Sequence, residues 1–188
     1  MPFDHGAWIL SHKYILKKKE YDMIYETSVK DFIIRPATED DITFVLEMIH
    51  ELAVYEHMED QAIATAEGIR EAVFVKQNTG ILIGEYKGEK VGYALYFTSF
   101  STFLGRNGIY LEDLYIRQDM RHRGFGKAML ARLTALAVEL GYGRLEWSCL
   151  DWNQPSIDFY LSLQAEPLSE WTMYRLTGDS LQAMVQRV

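Results

Sequence analysis

The chain has 188 residues, 48% of them hydrophobic, which is enough for one substantial core and too little for two ordinary domains. Its net charge of -8 argues against a nucleic-acid surface, which needs a basic field, and suits a cationic small molecule or simple solubility. Cys149 is the one cysteine, so an internal disulfide is excluded; no Cys/His set has zinc spacing, and the expectation is a reducing compartment, the cytoplasm, with no metal.

No apolar run approaches the ~20 residues of a membrane span, and Trp8-Ile9-Leu10 is too short for a signal peptide, so no membrane association is expected. Residues 1–31, with His5, His12 and the basic run Lys17-Lys18-Lys19, read as an N-terminal extension without an assigned fold. Phe32 to Arg35 is a short strand that Pro36 ends, and Thr38 with Asp41 three residues on has the form of a capping box. A helix follows, in which Ile42, Val45, Leu46, Ile49, Leu52 and Ala53 recur at helical spacing. A second short helix after Thr65 carries Ile69, Ala72 and Val73.

The period then changes to two. Ile81 to Tyr86 and Val91 to Phe100 flank Lys87-Gly88-Glu89-Lys90 as a hairpin, and a third strand runs from Gly108 to Ile116. The next helix presents Met129, Leu130, Leu133, Leu136, Ala137 and Leu140, with Gly141 placed as its C-terminal cap. Arg144 to Leu150 reads as a strand, Pro155 as the start of a helix over Ser156 to Leu163, and Trp171 to Leu176 as a last strand before a tail, 177–188. This order predicts one domain over 32–176, α/β or α+β, with a mixed, mainly antiparallel sheet and helices on both faces.

Between the third strand and its helix lies Arg121-His122-Arg123-Gly124-Phe125-Gly126. Amides at a helix entry point unpaired donors at an anion, the helix dipole adds favourable potential, and glycines let phosphate oxygens approach. The spacing is neither a Walker loop nor a dinucleotide fingerprint. On its own it is also compatible with the turn any strand-to-helix junction needs.

The Arg-x-x-Gly-x-Gly loop resembles the acetyl-CoA loop of the GCN5-related N-acetyltransferases. Ile34-Arg35-Pro36-Ala37-Thr38, the stretch from Glu51 to Glu59, Tyr110-Leu111-Glu112-Asp113-Leu114-Tyr115, and Trp152-Asn153-x-Pro155-Ser156-Ile157-x-Phe159-Tyr160 resemble its spermidine/spermine (diamine) acetyltransferases. Gln164-Ala165-Glu166-Pro167 departs from the family pattern near the substrate pocket. The resemblance implies acetyl-CoA as donor, a primary amine of a polyamine or diamine as acceptor, direct attack in a ternary complex, and a homodimer. The cofactor contacts it implies are Leu114, Tyr115 and Ile116 through their backbone, Arg121, His122, Arg123, Gly124, Phe125, Gly126 and Lys127 in the loop, and Asn153, Pro155 and Ser156. It places the acceptor at Tyr55, Glu56, Glu59, Glu112, Glu146, Trp147 and Ser148.

The chemistry agrees with that assignment. An aliphatic ammonium with a pKa near ~10 is about one part in a thousand free amine at neutral pH, a cost of ~4 kcal/mol that the site must offset. Glu112 is the implied catalytic carboxylate, attracting the ammonium and passing its proton to water, although a glutamate in a strand is otherwise simply solvent-facing. Strand alternation sends Asp113 to the opposite face unless a bulge intervenes. Tyr160 is the implied acid for the departing thiolate; otherwise it is a core residue with its hydroxyl at the surface. Cys149 lacks a motif that would activate it as an acyl carrier and reads as a small buried strand residue. Two alternatives stay open: an acetyltransferase for a small basic amino acid or lysine analogue, and a CoA-binding sensor without turnover.

Overall fold

The computed structural model describes residues 23–185, so His5, His12, the three lysines and Trp8-Ile9-Leu10 lie outside the described residues. The chain forms two compact units, one ending at Ser148 and one beginning at Cys149. In the first, six strands pair in sequence order: β1 (Tyr25–Glu26), β2 (Phe32–Pro36), β3 (Thr79–Tyr86), β4 (Glu89–Ser101), β5 (Arg106–Ile116) and β6 (Leu145–Trp147). Neighbours are antiparallel except β5 and β6, which run parallel, so the α+β class with a mixed, mainly antiparallel sheet is observed.

Helices cover both faces of that sheet. On one face α1 (Ile42–Glu56) packs Phe44, Val45 and Met48 on Ile81, Ile83, Tyr93 and Tyr115, and α2 (Ala66–Arg70) continues into a turn that adds Val73. On the other face α3 (Phe125–Glu139) stacks Phe125 on Phe32 at 4.3 Å between ring centroids and sets Leu136 and Ala137 against Ile109. Strand alternation explains the division, since successive residues of β3 face opposite ways. A Cβ added at Gly84 would lie 2.8 Å from the Phe32 ring and 3.3 Å from the Met129 sulfur, so that glycine lets the ring and α3 approach the sheet.

Local sequence accounts for the element ends. The Thr38 amide donates to the Asp41 carboxylate at 2.8 Å, the reciprocal half of the expected capping box. Asp41 does more than cap: it is 1% exposed and is gripped by Arg35 at 2.7 Å and Lys90 at 2.6 Å, while Glu85 holds the far side of Arg35 at 2.6 Å. Burial alone would raise the Asp41 pKa, but hydrogen bonds from Arg35, Lys90 and the Thr38 amide win and hold it well below the usual carboxylate range. At the hairpin, Lys87 and Gly88 have φ of 53° and 82°, the paired left-handed conformations of a two-residue type I′ turn, so Tyr86 and Glu89 already pair. Gly141 has φ of 69° at the end of α3, as expected, but Leu140, assigned to the apolar stripe, is exposed.

Several expected boundaries move. Tyr25–Glu26, inside the segment read as extension, adds an edge strand to β2. The strand expected over Arg144 to Leu150 is limited to Leu145–Trp147. In the second unit α4 (Gln154–Ser162) forms, and α5 (Gly178–Val185) occupies the stretch read as tail. Trp171 to Leu176 is not a strand: no described residue pairs with it, and Trp171 and Tyr174 are 75% and 90% exposed. Aromatic and branched residues favour a strand only where a sheet edge receives them.

Candidate active site

The glycine loop is built by backbone geometry. After β5 the chain makes a single turn at Gln118–Met120, then His122 and Gly124 adopt φ of 62° and 85° on either side of Arg123. Alternating left-handed residues turn successive amides toward a common point, the concavity that receives anions in many proteins. Among the described residues, no amide from His122 to Lys127 donates to a backbone acceptor; the first helical bond runs from the Ala128 amide to the Gly124 carbonyl at 3.0 Å. Fifteen-residue α3 adds its dipole there, and no acidic side chain occupies its first turn. The loop fits a diphosphate, with open space beyond Gly126 on the side where a Cβ would project. Arg121 plays another part: its Nε donates to the Ile116 carbonyl at 3.1 Å, and its guanidinium lies 4.4 Å from the Tyr55 ring and 5.2 Å from the Tyr115 ring.

Beside the loop, β5 and β6 part company. They pair only from Ile109 to Leu111, opposite Leu145 to Trp147, so from Glu112 to Ile116 the edge of β5 away from β4 has no strand partner among the described residues. Tyr115 and Ile116 are buried, so an extended ligand on this edge meets the backbone, including that of Leu114. A pantetheine arm, which carries amide groups along an extended chain, fits such an edge as an added strand.

The parting coincides with a bulge. Leu95 lies opposite Asp113 and Tyr96 opposite Leu111, so Glu112 is the extra residue on β5. The expected alternation therefore fails, and Asp113, set aside on that ground, joins the acidic group. Its carboxylate accepts a hydrogen bond from the Tyr93 hydroxyl at 2.8 Å. Burial pushes the Asp113 carboxyl up and the charge of Glu112 pushes it further, against the opposing Tyr93 hydrogen bond. Glu56, the last residue of α1, is also raised, first by burial and then by the field of Asp113. Glu56, Glu112 and Asp113 thus form one electrostatic cluster that a cation would relieve. Two adjacent acids in an otherwise apolar strand were the available signal for a bulge, but only the register with β4 reveals it.

The remaining expected acceptor residues are placed less directly. Tyr55 is half-buried beneath Arg121, and Glu59 is exposed on the short turn Glu59–Gln61. Glu146 sits 2.8 Å from Arg144, which offsets its charge, Ser148 shares a 2.7 Å hydrogen bond with the Tyr110 hydroxyl, and Trp147 is half-buried. No group of three or more His, Cys, Asp or Glu among the described residues is arranged to hold a metal ion.

In the second unit the motif around Tyr160 forms its own small frame. Asn153 is buried and accepts from the Ser156 amide at 3.3 Å as the cap of α4, with Pro155 in the first turn. Tyr160 is half-buried on the same helix, its ring 5.3 Å from that of Phe159. Cys149 departs from its expected setting: it lies beyond β6, half-buried and not in a strand.

A sequence model described as the Acetyltransferase (GNAT) family matches residues 43–164. The chain is 35% identical over 164 residues to a thialysine N-epsilon-acetyltransferase of Bos taurus, covering 81% of this chain and 96% of the relative. It is 30% identical over 197 residues to the L-ornithine N5-acetyltransferase NATA1 of Arabidopsis thaliana, covering 80% and 86%. In fold, an integron cassette protein from Vibrio cholerae superposes with a TM-score of 0.70 at 21% identity, over 83% of this chain and 98% of that one. The glycine loop at the mouth of α3, the parted β5 edge and these matches agree: the chain belongs to the GNAT family of acetyltransferases, and it is an N-acetyltransferase.

Proposed function

We propose that this enzyme transfers the acetyl group of acetyl-CoA to a primary amine of a polyamine or diamine, by direct attack in a ternary complex. The observation that carries this reading is the bulge at Glu112, which gathers Glu56, Glu112 and Asp113 beside the unpaired edge of β5. When bound, acetyl-CoA supplies an activated acyl thioester. The loop amides from His122 to Lys127 hold the diphosphate, with Arg123 and Lys127 adding positive charge, and the backbone from Glu112 to Ile116 aligns the arm. The acidic cluster draws in an ammonium and favours its charged form, so removal of its proton, assigned to Glu112 through water, draws on the basicity of the raised Glu56 and Asp113 carboxyls beside it. Tyr160 is assigned the proton for the leaving thiolate on the strength of its motif, and Asn153, Pro155 and Ser156 frame that motif. A homodimer belongs to this reading on the resemblance alone, and a cytoplasmic setting on the single cysteine.

A second reading is acetylation of a small basic amino acid, favoured by the ornithine and thialysine named for the two relatives. Both substrate classes offer a primary amine and a second cationic centre; they differ in the carboxylate, which an acidic cluster repels. A thiol-release assay with acetyl-CoA and a panel of spermidine, spermine, short diamines, ornithine and thialysine decides between them. Preferred turnover of the carboxylate-free amines is expected. Preference for the amino acids would favour the second reading, and no turnover of any amine would overturn both.

A further inference from the structure

Tyr93 is 0% exposed, at the centre of β4, opposite Tyr115 on β5 and Ile83 on β3. Its ring packs with the apolar residues beneath α1, a task phenylalanine would perform equally well. The hydroxyl is what needs explaining, since a buried hydroxyl is costly unless bonded, and its bond is the 2.8 Å donation to Asp113 Oδ2. We propose that Tyr93 is a positioning residue for acetyl transfer, acting through Asp113 to hold its carboxylate in one orientation toward the acceptor amine. The inference rests on the acceptor site assigned above.

The surroundings of Asp113 explain why such a hold is needed. Glu56 comes from α1, Glu112 from the same strand, and Tyr93 from β4, so among the described residues the charged groups acting with Asp113 are themselves acids. Burial and the Glu112 charge both favour the neutral acid, and the tyrosine hydroxyl opposes them. Burial first, then the neighbouring carboxylates, push the phenol well above its ordinary value of 10.0, so Tyr93 remains a donor at every working pH. The bulge supplies the other half of the arrangement, because without the extra residue Asp113 would lie on the far face from Tyr93.

Tyr93→Phe removes one oxygen and keeps the ring. In that variant the acceptor KM should rise roughly tenfold, the scale of one hydrogen bond to a charged group, with acetyl-CoA affinity unchanged. The acid limb of kcat/KM should also move to higher pH, because the bond that lowers the Asp113 pKa is gone. On an Asp113→Asn background the same substitution should add no further effect on KM or on the acid limb. Carbon-13 NMR of the Asp113 carboxyl, read in both proteins without substrate, separates this inference from the identity of the acceptor. An upward shift in its titration midpoint is expected in Tyr93→Phe even if the acceptor class is misassigned. A lower melting temperature with an unmoved carboxyl titration, or equal effects of Tyr93→Phe with and without Asp113, would reduce Tyr93 to a core residue and overturn the proposal.

Discussion

Taking the hydroxyl from Tyr160 distinguishes proton donation from binding. A thiol with a pKa near ~8.5 leaves more readily when an acid meets its developing charge, so Tyr160→Phe should keep acetyl-CoA affinity and lower turnover about a hundredfold. Single-turnover kinetics beside a calorimetric titration checks both halves; full activity would mean that water protonates the thiolate. At this scale the sequence offers Tyr160, Glu112 and Gly124 as candidates, because each sits in a contiguous motif whose residue types match a chemical task. Asp113 and Tyr93 were not, since they are twenty residues apart and their bond exists only once two strands are in register. Arg121 was legible as part of the loop but not as a cation stacked over Tyr55 and Tyr115, a contact that depends on where α1 ends.

The end of α1 is therefore as consequential as the bulge. His57 takes φ of 59° and, with the Met58 amide donating to the Ala53 carbonyl at 2.8 Å, closes the last turn so that Glu56 is its final residue. A carboxylate at a helix C-terminus is disfavoured by the dipole, and Glu56 is also disfavoured by burial and by Asp113. Such an arrangement is stable against a cationic ligand and costly without one. Glu56→Gln should raise the acceptor KM for a diamine by about fivefold to tenfold and change it less for a monoamine, whereas exposed Glu59→Gln should matter little for either. Steady-state kinetics with matched mono- and diamines reads the difference, and equal effects at both positions would place the recognition elsewhere. The first four helices were readable from periodicity and cap residues, whereas α5, in the stretch read as tail, was not. The bulge and the absent strand at Trp171 to Leu176 were not, because both depend on which backbone lies alongside.

Across the whole molecule, Asp41 joins the entry to α1 with β2 through Arg35 and with β4 through Lys90, while Glu85 of β3 completes the group. Its folded pKa is depressed, so its contribution is complete above the ordinary value of 3.8 and is lost as the pH falls toward the folded one. Asp113 and Glu56 have the opposite sign: with raised folded values, their contribution is complete below the ordinary range and is lost as the pH rises through the folded values. Denaturant titrations should show stability falling below about pH 4, and Asp41→Asn should cost about 3 kcal/mol at neutral pH while flattening that acid slope. An unchanged slope would assign acid sensitivity to other carboxylates. The order of the core elements was legible, whereas this four-residue ionic group was not, since Arg35, Glu85 and Lys90 look like ordinary strand and turn charges until the sheet assembles.

The unpaired stretch of β5 also has a signature in time. In an antiparallel strand each residue turns both its polar backbone groups to the same neighbour, so from Glu112 to Ile116 alternate residues serve β4 and the open edge. In deuterated water the open-edge amides should exchange quickly and their neighbours slowly, giving a trace with a period of two. Adding acetyl-CoA should fill in the fast positions of that comb, while the amides from His122 to Lys127 should slow together as one contiguous block. Two ligand footprints of different periodicity, one alternating and one continuous, would therefore report separately on the arm and on the diphosphate of a single bound molecule.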